Sequence, residues 1–210
     1  LEGCIVTIDA MGTQPNIAQA ILNRGADYIL PVKDNQPKLA ESIHDFINAF
    51  LAAPDKTPHQ VDEIIEKDHG RLEVRRCHVF DQLDCLHAQE RWPGLKSFAM
   101  ITSERTVKGK TTIEHRYYVS SLLPDAQRMN RAVRLHWRVE NSLHWCMDVV
   151  FSDDQMRTRT KHAAHNFAVL RHFVLNLIRL APHKRKGGLK VQRLIASTSD
   201  TFRAQLLGLV

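Results

Sequence analysis

The first quarter of the chain alternates short apolar runs with amphipathic stretches, and this pattern predicts the order strand, helix, strand, helix. Residues 4–8 are rich in β-branched side chains and 27–32 form a second apolar run, so both segments are predicted to be strands. Helical spacing of apolar residues follows over 16–24, closing at Gly25, and again over 37–51. Because helices usually connect parallel strands, this order favours a parallel α/β sheet.

The rest of the chain changes character twice. β-Rich segments separated by glycine-containing turns predict four further strands, at 61–67, 71–80, 97–105 and 111–120. Helical periodicity then predicts one long helix, a second helix with a strongly apolar side and a short last helix, at 125–150, 161–180 and 194–209. These changes divide the sequence into four parts, with expected bounds of 1–56, 57–123, 124–182 and 183–210.

Composition is that of an ordinary soluble globular protein. The 210 residues suffice for a sizeable core, and hydrophobic and charged residues make up 43% and 25% of them. No apolar run approaches the length of a membrane span, and the opening residues turn polar too quickly for a signal peptide. The four cysteines match neither a zinc ribbon nor a disulfide framework, so we expect reduced and mostly buried thiols in a cytosolic protein.

Basic residues are in modest excess, and a net charge of +6 permits a nucleic-acid partner without requiring one. Strand alternation places Arg71, Glu73 and Arg75 on one face beside a tight turn. Guanidinium groups there suit bidentate contacts to backbone phosphates, but the same pattern also fits an exposed hairpin with cross-strand ion pairs. The basic run at 183–186 is likewise open to two interpretations, solvated surface or phosphate contact.

Two acidic positions are candidates for metal-dependent chemistry. Asp9 follows the first predicted strand, where side chains of parallel sheets commonly face a ligand crevice, although an acid there can also cap the next turn. Glu140 lies in the segment HWRVENSLHW (136–145), and helical spacing places His136, Glu140 and His144 on one face. A carboxylate on a packed helix is a rigid ligand for a divalent metal, but the same spacing fits a surface helix with His–Glu pairs.

A zinc site is the main competing interpretation of this segment. Its histidines and glutamate do not form the H-E-x-x-H arrangement of metalloproteases. The outer histidines lie about 12 Å apart along the helix axis, given a rise of about 1.5 Å per residue, so they cannot share one ion. The spacing therefore disfavours a zinc enzyme.

Taken together, five segments resemble the bacterial insertion-sequence transposases that include the H-repeat-associated proteins. They are TIDAMGTQ (7–14), YILPVKDNQ (28–36), HGRLEVR (69–75), HRYYVSS (115–121) and HWRVENSLHW (136–145). The segments occur in the family's order and cover nearly the whole chain. The last segment is specific by itself, whereas the TIDAM motif gains its weight from the order.

The resemblance implies an α/β fold: an incomplete RNase H-like (DDE transposase) core with a β-rich insertion before the helix that carries the catalytic glutamate. The first and third parts of the chain would form the core, the second the insertion, and the fourth a basic linker with a C-terminal helix. The family's second catalytic acid falls on Asp9 and its glutamate on Glu140, and both are expected to bind metal. The first acid belongs on an earlier strand that is not among these residues, so we expect the chain alone to be inactive.

The resemblance is incomplete around the glutamate. Related transposases place a tyrosine, an arginine and a lysine there, at positions where this chain has Val133, His136 and Met147. The roles of that tyrosine, arginine and lysine are therefore not assigned to Val133, His136 and Met147. Six basic or imidazole side chains are instead candidate DNA contacts: Arg71, Arg75, Arg134, His136, Arg138 and His144.

The activity implied by the resemblance is DNA transposition, in which metal-dependent phosphoryl transfer cuts and joins insertion-sequence DNA. The implied cofactor is Mg²⁺, with Mn²⁺ as a substitute, because carboxylates suit hard cations. The implied partner is double-stranded DNA at the element ends and target, bound by a homo-oligomer in the bacterial cytoplasm at the nucleoid, with no membrane involved. Two alternatives stay open: a non-catalytic DNA-binding remnant of a decayed mobile element, and an unrelated metal-dependent nuclease with the same core.

Overall fold

Six strands of one mixed sheet account for most of the apolar runs in the described part of the sequence. The computed structural model describes residues 1–68, 70–181 and 186–209, and at 68, 140 and 141 it describes the backbone alone. The chain divides into two compact units, Leu1–His136 and Trp137–Val210.

The first unit contains the sheet, two complete helices and most of a third. In chain order its elements are β1 (Ile5–Thr7), α1 (Pro15–Leu22), β2 (Asp27–Val32), α2 (Pro37–Ala52), β3 (Gln60–Asp68), β4 (Arg71–Phe80), β5 (Ser97–Val107), β6 (Lys110–Ser120) and α3 (Ala126–Val139). Each strand and helix predicted for this unit is present. The ends of the strands and of the first two helices differ from the prediction by a few residues at most.

The sheet has the strand order β1-β2-β6-β5-β4-β3. Strands β1 and β2 are parallel, with Ile5 opposite Asp27, and the other neighbouring pairs are antiparallel. The parallel arrangement expected for the first part of the chain is thus found in this pair. The four β-rich strands extend the same sheet, because β6 pairs with β2 through Ser120 and Ile29. The four predicted parts of the chain and their bounds stay predictions.

Side chains alternate between the two faces of the sheet, so each face has its own core. On β5, Phe98 and Met100 belong to the core that also contains buried residues of α1 and α2, whereas Ala99 and Ile101 belong to the core shared with α3. Ile5 of β1 packs against the second core. The strand that precedes the first candidate acid is therefore anchored to the same core as α3.

A glycine-dependent cap ends α1 and sets the start of β2. The amides of Gly25 and Ala26 donate to the carbonyls of Leu22 and Ile21 at 2.9 and 3.4 Å. Gly25 has a φ of +70°, which a residue with a Cβ rarely adopts, and it is the residue at which the sequence pattern closes the helix. The cap reverses the chain, so that β2 can run parallel to β1.

The second unit contains helices and connecting segments, with no strand among its described residues. After α3 it contains a π-helical segment (Glu140–His144), α4 (Trp145–Phe151), α5 (Ala163–Leu180), α6 (Leu189–Thr198) and α7 (Asp200–Leu206). The long helix predicted over 125–150 is helical from Ala126 to Phe151, but the π-helical segment interrupts its α-helical hydrogen bonding at Glu140–His144. The last predicted helix is two helices, since the Ser199 hydroxyl begins a new one by accepting from the Phe202 amide.

Burial in α5 is less extensive than its apolar side predicts. Leu175 and Ile178 are buried, but Phe167, Leu170 and Phe173 are each about half exposed. Most of the basic run predicted just after this helix, 183–185, lies outside the described residues.

The cysteines only partly match their prediction. Cys77 and Cys146 are buried, whereas Cys4 and Cys85 are exposed, and all four are free thiols. Burial raises the pKa of Cys77 far above the range in which a thiolate forms, so this thiol is an apolar core group. Over the described residues, no helix combines the length and the apolar character needed to cross a membrane.

Candidate functional site

Asp9 lies just beyond the C-terminal end of β1, the edge at which open α/β sheets commonly bind ligands. Its side chain is 85% exposed, and its backbone is extended, with φ −70° and ψ 160°. A short 3-10 turn (Ala10–Gly12) follows, but the Asp9 side chain makes no capping hydrogen bond to it. The capping alternative therefore does not account for Asp9, and its carboxylate oxygens face solvent.

His136, the last residue of the first unit, contacts both Asp9 and the strand before it. Its Nδ1 lies 3.1 Å from the hydroxyl oxygen of Thr7, and its Nε2 lies 3.6 Å from a carboxylate oxygen of Asp9. If Nδ1 accepts the Thr7 hydroxyl proton, Nε2 carries the ring hydrogen and presents it to the carboxylate. The second contact is longer than a good hydrogen bond, so it is a weak electrostatic contact. Sequence reasoning named His136 as a DNA contact and did not foresee this placement.

Polar side chains after β2 hold the loop that follows the first candidate acid. Asn35 donates to the Ala10 carbonyl and lies 3.4 Å from the Thr13 carbonyl, to which Gln36 donates at 3.0 Å. The hydroxyl of Thr13, a fully buried residue, donates back to the Pro31 carbonyl at 2.7 Å. The TIDAMGTQ and YILPVKDNQ motifs are therefore two halves of one hydrogen-bonded structure. Their order in the sequence identified them, but nothing in either motif alone showed that they touch.

Glu140, the second candidate ligand, begins the π-helical segment. Its side chain lies outside the described residues, so its assignment stays a prediction. Turns of π-helix are rare and are frequent at functional sites. Their i→i+5 hydrogen bonding also shifts later residues around the axis, so the predicted α-helical stripe from His136 to His144 is interrupted. Arg138 and His144 are exposed, and their roles as DNA contacts stay predictions.

The three arginines proposed for DNA in the first unit belong to one ion-pair network. Arg75 is buried and pairs with Glu73, whose carboxylate also lies 3.7 Å from Arg71 and 3.9 Å from Arg134. Arg134 on α3 forms a second pair with Glu66 on β3. Burial, and then the charge of Arg134, lower the pKa of Arg75 from its ordinary value. The ion-pair interpretation thus describes this network, and Arg75 is too buried to reach a phosphate without a rearrangement.

A cleft of about 320 Å³ lies beside this network. The residues that line it are Glu66, Lys67, Arg71 and Arg134, all from the first unit. Three cations and one carboxylate line the same concave space, so its electrostatic potential favours an anion. Sequence reasoning identified two of the three cations but not the cleft, because Arg134 reaches it from a helix far along the chain.

Among the side chains that the structure describes, no group of three or more His, Cys, Asp or Glu could hold a metal ion. Asp9 taken singly fits Mg²⁺, which prefers hard oxygen ligands and keeps several waters, because its carboxylate is exposed beside solvent.

Comparison with known proteins identifies the same family as the order of the motifs. The family model described as "Transposase DDE domain" matches residues 1–177. The chain is 36% identical over 215 residues to "H repeat-associated putative transposase YhhI" and to "Putative protein YbfL", both of Escherichia coli K12. It is 35% identical over 216 residues to "Putative transposase YncI" of Escherichia coli O157:H7.

These alignments cover 99% of the chain, but only 55% of the first two relatives and 53% of the third. The chain thus spans about half the length of the curated relatives it matches. No solved structure matches the chain. The similarity is therefore one of sequence. It covers both candidate acids and the loop that follows Asp9.

Proposed function

The chain belongs to the DDE transposase domain family, and we propose that it forms part of an enzyme that cuts and joins insertion-sequence DNA by metal-dependent phosphoryl transfer. The family predicted from the motifs is confirmed by the match over residues 1–177. The observation that carries the proposal is the exposed carboxylate of Asp9 at the end of a parallel strand, beside His136. His136 lies four residues before Glu140 in the specific HWRVENSLHW segment.

Asp9 and Glu140 are the proposed ligands of divalent metal, Mg²⁺ with Mn²⁺ as a substitute. When bound, a pair of such ions activates a water or a 3′-hydroxyl and stabilises the leaving oxygen of the phosphodiester. The other residues of the chain orient these ligand side chains. Thr7 fixes the ring of His136, and His136 orients the Asp9 carboxylate.

The proposed DNA contacts are fewer than those expected from the sequence. Arg71 and Arg134 line the cationic cleft, and Arg138 and His144 are exposed in the second unit. Guanidinium groups bind phosphate oxygens in bidentate fashion, which suits positioning rather than sequence reading. Arg75 is assigned a structural part, because its buried guanidinium holds the Glu73 carboxylate.

Strand transfer itself is proposed for a longer protein. The resemblance places the first catalytic acid on a strand that is not among these residues, and the relatives are nearly twice as long as this chain. We therefore propose that a third carboxylate comes from outside these residues. The joining of strands, the homo-oligomeric synapse of two element ends and a location at the bacterial nucleoid belong to that longer protein.

A Mn²⁺ titration followed by electron paramagnetic resonance tests the ligand assignment directly. Asp9→Ala and Glu140→Ala are each expected to weaken Mn²⁺ binding by at least about tenfold, since each removes an oxygen ligand. Asp55→Ala and Glu90→Ala are matched controls, because both side chains are exposed and lie elsewhere in the first unit. Equal affinity in the unsubstituted chain and in the Asp9→Ala/Glu140→Ala variant would refute the metal site.

Activity assays separate the proposal from its alternatives. Incubated with Mg²⁺ and element-end DNA, this chain alone is expected to yield no joined strands, whereas nicking by the pure chain would overturn the need for a third carboxylate. In the longer protein, cleaved but never joined strands would favour a nuclease. Salt-sensitive duplex binding by the longer protein, with neither cleavage nor joining of strands in Mg²⁺, would favour a non-catalytic DNA-binding remnant.

A further inference from the structure

The two long hairpins of the sheet end side by side. Strands β3 and β4 form one hairpin, β5 and β6 form the other, and β4 pairs with β5 along its whole length. Arg71, the first residue of β4, is opposite Val107, and Val107 is opposite Lys110 across the next turn. The register therefore brings the turns of both hairpins to one end of the sheet.

Cations concentrate at that end. Arg71, Val107 and Lys110 form one cross-strand row, and Arg105 lies opposite Glu73 on the same face, two residues from the turn. Neighbouring strands lie about 4.8 Å apart, so Arg71 and Lys110 are held about 10 Å from each other. Six residues make up this surface, which we call the basic hairpin end: Lys67, Arg71, Arg105, Lys108, Lys110 and Arg134.

The acids at this end cancel only part of that charge. Glu73 already pairs with the buried Arg75, and Glu66 pairs with Arg134. Asp68 is the remaining acid of the turn in the sequence, and its side chain is outside the described residues. Lys67 and Lys110 are both exposed, and no ion pair to either occurs among the described side chains.

We propose that the basic hairpin end binds the phosphodiester backbone of duplex DNA, with the 320 Å³ cleft between Lys67, Arg71 and Arg134 receiving one phosphate. Duplex DNA carries phosphates in a regular array, which a rigid row of cations on paired strands can match. We expect this contact to be independent of the DNA sequence, because it is made to phosphates and not to the edges of the bases. This inference rests on the proposed function, which supplies DNA as the partner.

The test is the salt dependence of duplex binding by the 210-residue chain, measured by fluorescence anisotropy with a random-sequence duplex in EDTA. Omitting divalent metal keeps the result independent of Asp9 and Glu140. Lys67→Gln/Lys110→Gln is expected to weaken binding by on the order of 10- to 100-fold near 0.1 M salt. The slope of log K against log salt should fall by about 1.8, because each lost phosphate contact contributes about 0.9.

Lys56→Gln/Lys96→Gln is the matched control. It makes the same charge change at exposed lysines that precede β3 and β5, at the opposite end of the strands. This control is expected to leave affinity and slope unchanged, and Lys67→Arg/Lys110→Arg is expected to retain binding because the charge is retained. Thermal unfolding of each variant shows that the fold is preserved.

The possible failures are distinguishable. Equal losses in the test and control variants, or unchanged binding in Lys67→Gln/Lys110→Gln, would overturn the basic hairpin end as a DNA surface. Either result would leave the metal-site proposal, tested by Mn²⁺ titration, untouched. Absence of duplex binding by the unsubstituted chain would overturn both this surface and DNA as the chain's partner.

Discussion

The Nε2 atom of His136 lies 3.6 Å from a carboxylate oxygen of Asp9, with the other ring nitrogen 3.1 Å from the Thr7 hydroxyl. This contact joins the TIDAMGTQ segment (7–14) to the start of the HWRVENSLHW segment (136–145). Asp9 and His136 lie near opposite ends of the first unit's sequence. Asp9 is otherwise exposed, so this imidazole is the described group best placed to restrict its rotamers. An oriented carboxylate binds a metal better than a freely rotating one, because the ordering cost is already met.

Replacing His136 should therefore weaken metal binding without removing a ligand. His136→Ala is expected to lower Mn²⁺ affinity by about 10- to 100-fold, the range typical of groups that orient ligands. Thr7→Val should act in the same direction with a smaller effect, since it frees the ring from one side. Both effects are measured by the same Mn²⁺ titration used for Asp9.

Thr7→Ser separates orientation from a general structural effect. It retains the hydroxyl that holds Nδ1, so Mn²⁺ affinity should return to that of the unsubstituted chain. His87→Ala, at an exposed histidine elsewhere, should leave affinity unchanged. If Thr7→Ser binds Mn²⁺ as weakly as Thr7→Val, the hydroxyl is not what positions the ring.

The buried pair of Arg75 and Glu73 makes a stability prediction. Their side chains are 10% and 13% exposed, and the network also involves Arg71 and Arg134. Glu73→Gln leaves a buried guanidinium without its counter-charge, which should lower the free energy of unfolding by about 3 kcal/mol. Urea denaturation at constant pH measures the change.

A second glutamate pairs with an arginine in a more exposed setting and provides the control. Glu114 pairs with Arg116 but is itself 59% exposed, so Glu114→Gln should cost no more than about 1 kcal/mol. The double variant Arg75→Met/Glu73→Leu should recover much of the stability lost in Glu73→Gln, because it removes both charges together. Equal destabilisation by the two glutamine variants would show that burial of the Arg75 pair is unimportant.

The order of elements could be predicted because each strand and helix leaves its own period in the sequence. The run at 27–32 and the alternation at 71–80 gave strands whose bounds match those of β2 and β4. The interruption at Glu140 could not be predicted in this way. A π-helical turn adds only one residue to a helix, and the apolar positions over 125–150 already fit α-helical spacing, so the sequence gives no sign of the interruption.

The candidate site was predictable as a set of residues but not as a set of contacts. Motif order singled out Asp9 and His136, but their proximity depends on where α3 lies over the sheet. Alternation correctly placed Arg71, Glu73 and Arg75 on one face, yet it could not show that the same face carries the α3 core and buries Arg75. Burial of a charged strand residue is a tertiary property, which periodicity does not encode.

The loop after Asp9 should owe its order to Asn35 and Gln36. Their side chains donate to the carbonyls of Ala10 and Thr13. Asn35→Ala/Gln36→Ala is expected to speed amide hydrogen exchange within 10–14, while the free energy of global unfolding falls by only about 1–2 kcal/mol.

Gln19→Ala is the control for this loop variant. It removes a comparable exposed amide hydrogen bond, to Asn23 at 2.8 Å, at the C-terminal end of α1. Exchange over 10–14 should be unaffected by it. Unchanged exchange in Asn35→Ala/Gln36→Ala would show that the loop is held by its own turn and not by the second motif.

His78 gives the chain a defined sensitivity to acid. Its Nδ1 is buried and has no hydrogen-bond partner among the residues that the structure describes. Its ring lies 5.3 Å, centre to centre, from both Phe50 and His59. Burial lowers the pKa of His78, and the charges of His59 and Arg76 lower it further. The neutral imidazole is thus the form that the folded state accommodates.

The sign of the effect follows from the direction of that shift. The unfolded chain protonates His78 near its ordinary pKa of about 6.5, whereas the folded chain resists protonation until a lower pH. The stability contributed by neutral His78 is therefore fully present above about pH 6.5 and is lost as pH falls through the lowered folded value. His78→Phe removes the titrating group and keeps an aromatic ring against Phe50, so its stability should fall less between pH 8 and pH 5.

Urea denaturation of both proteins at pH 8 and pH 5 measures this difference, and other acid-sensitive groups cancel in the comparison. His87→Phe, at an exposed histidine, should show the same pH dependence as the unsubstituted chain. An undiminished loss of stability in His78→Phe would assign the acid sensitivity to other groups, with the neighbouring His59 the first to examine. A diminished loss would assign part of the chain's acid sensitivity to His78, which lies on β4 and packs against Phe50 of α2.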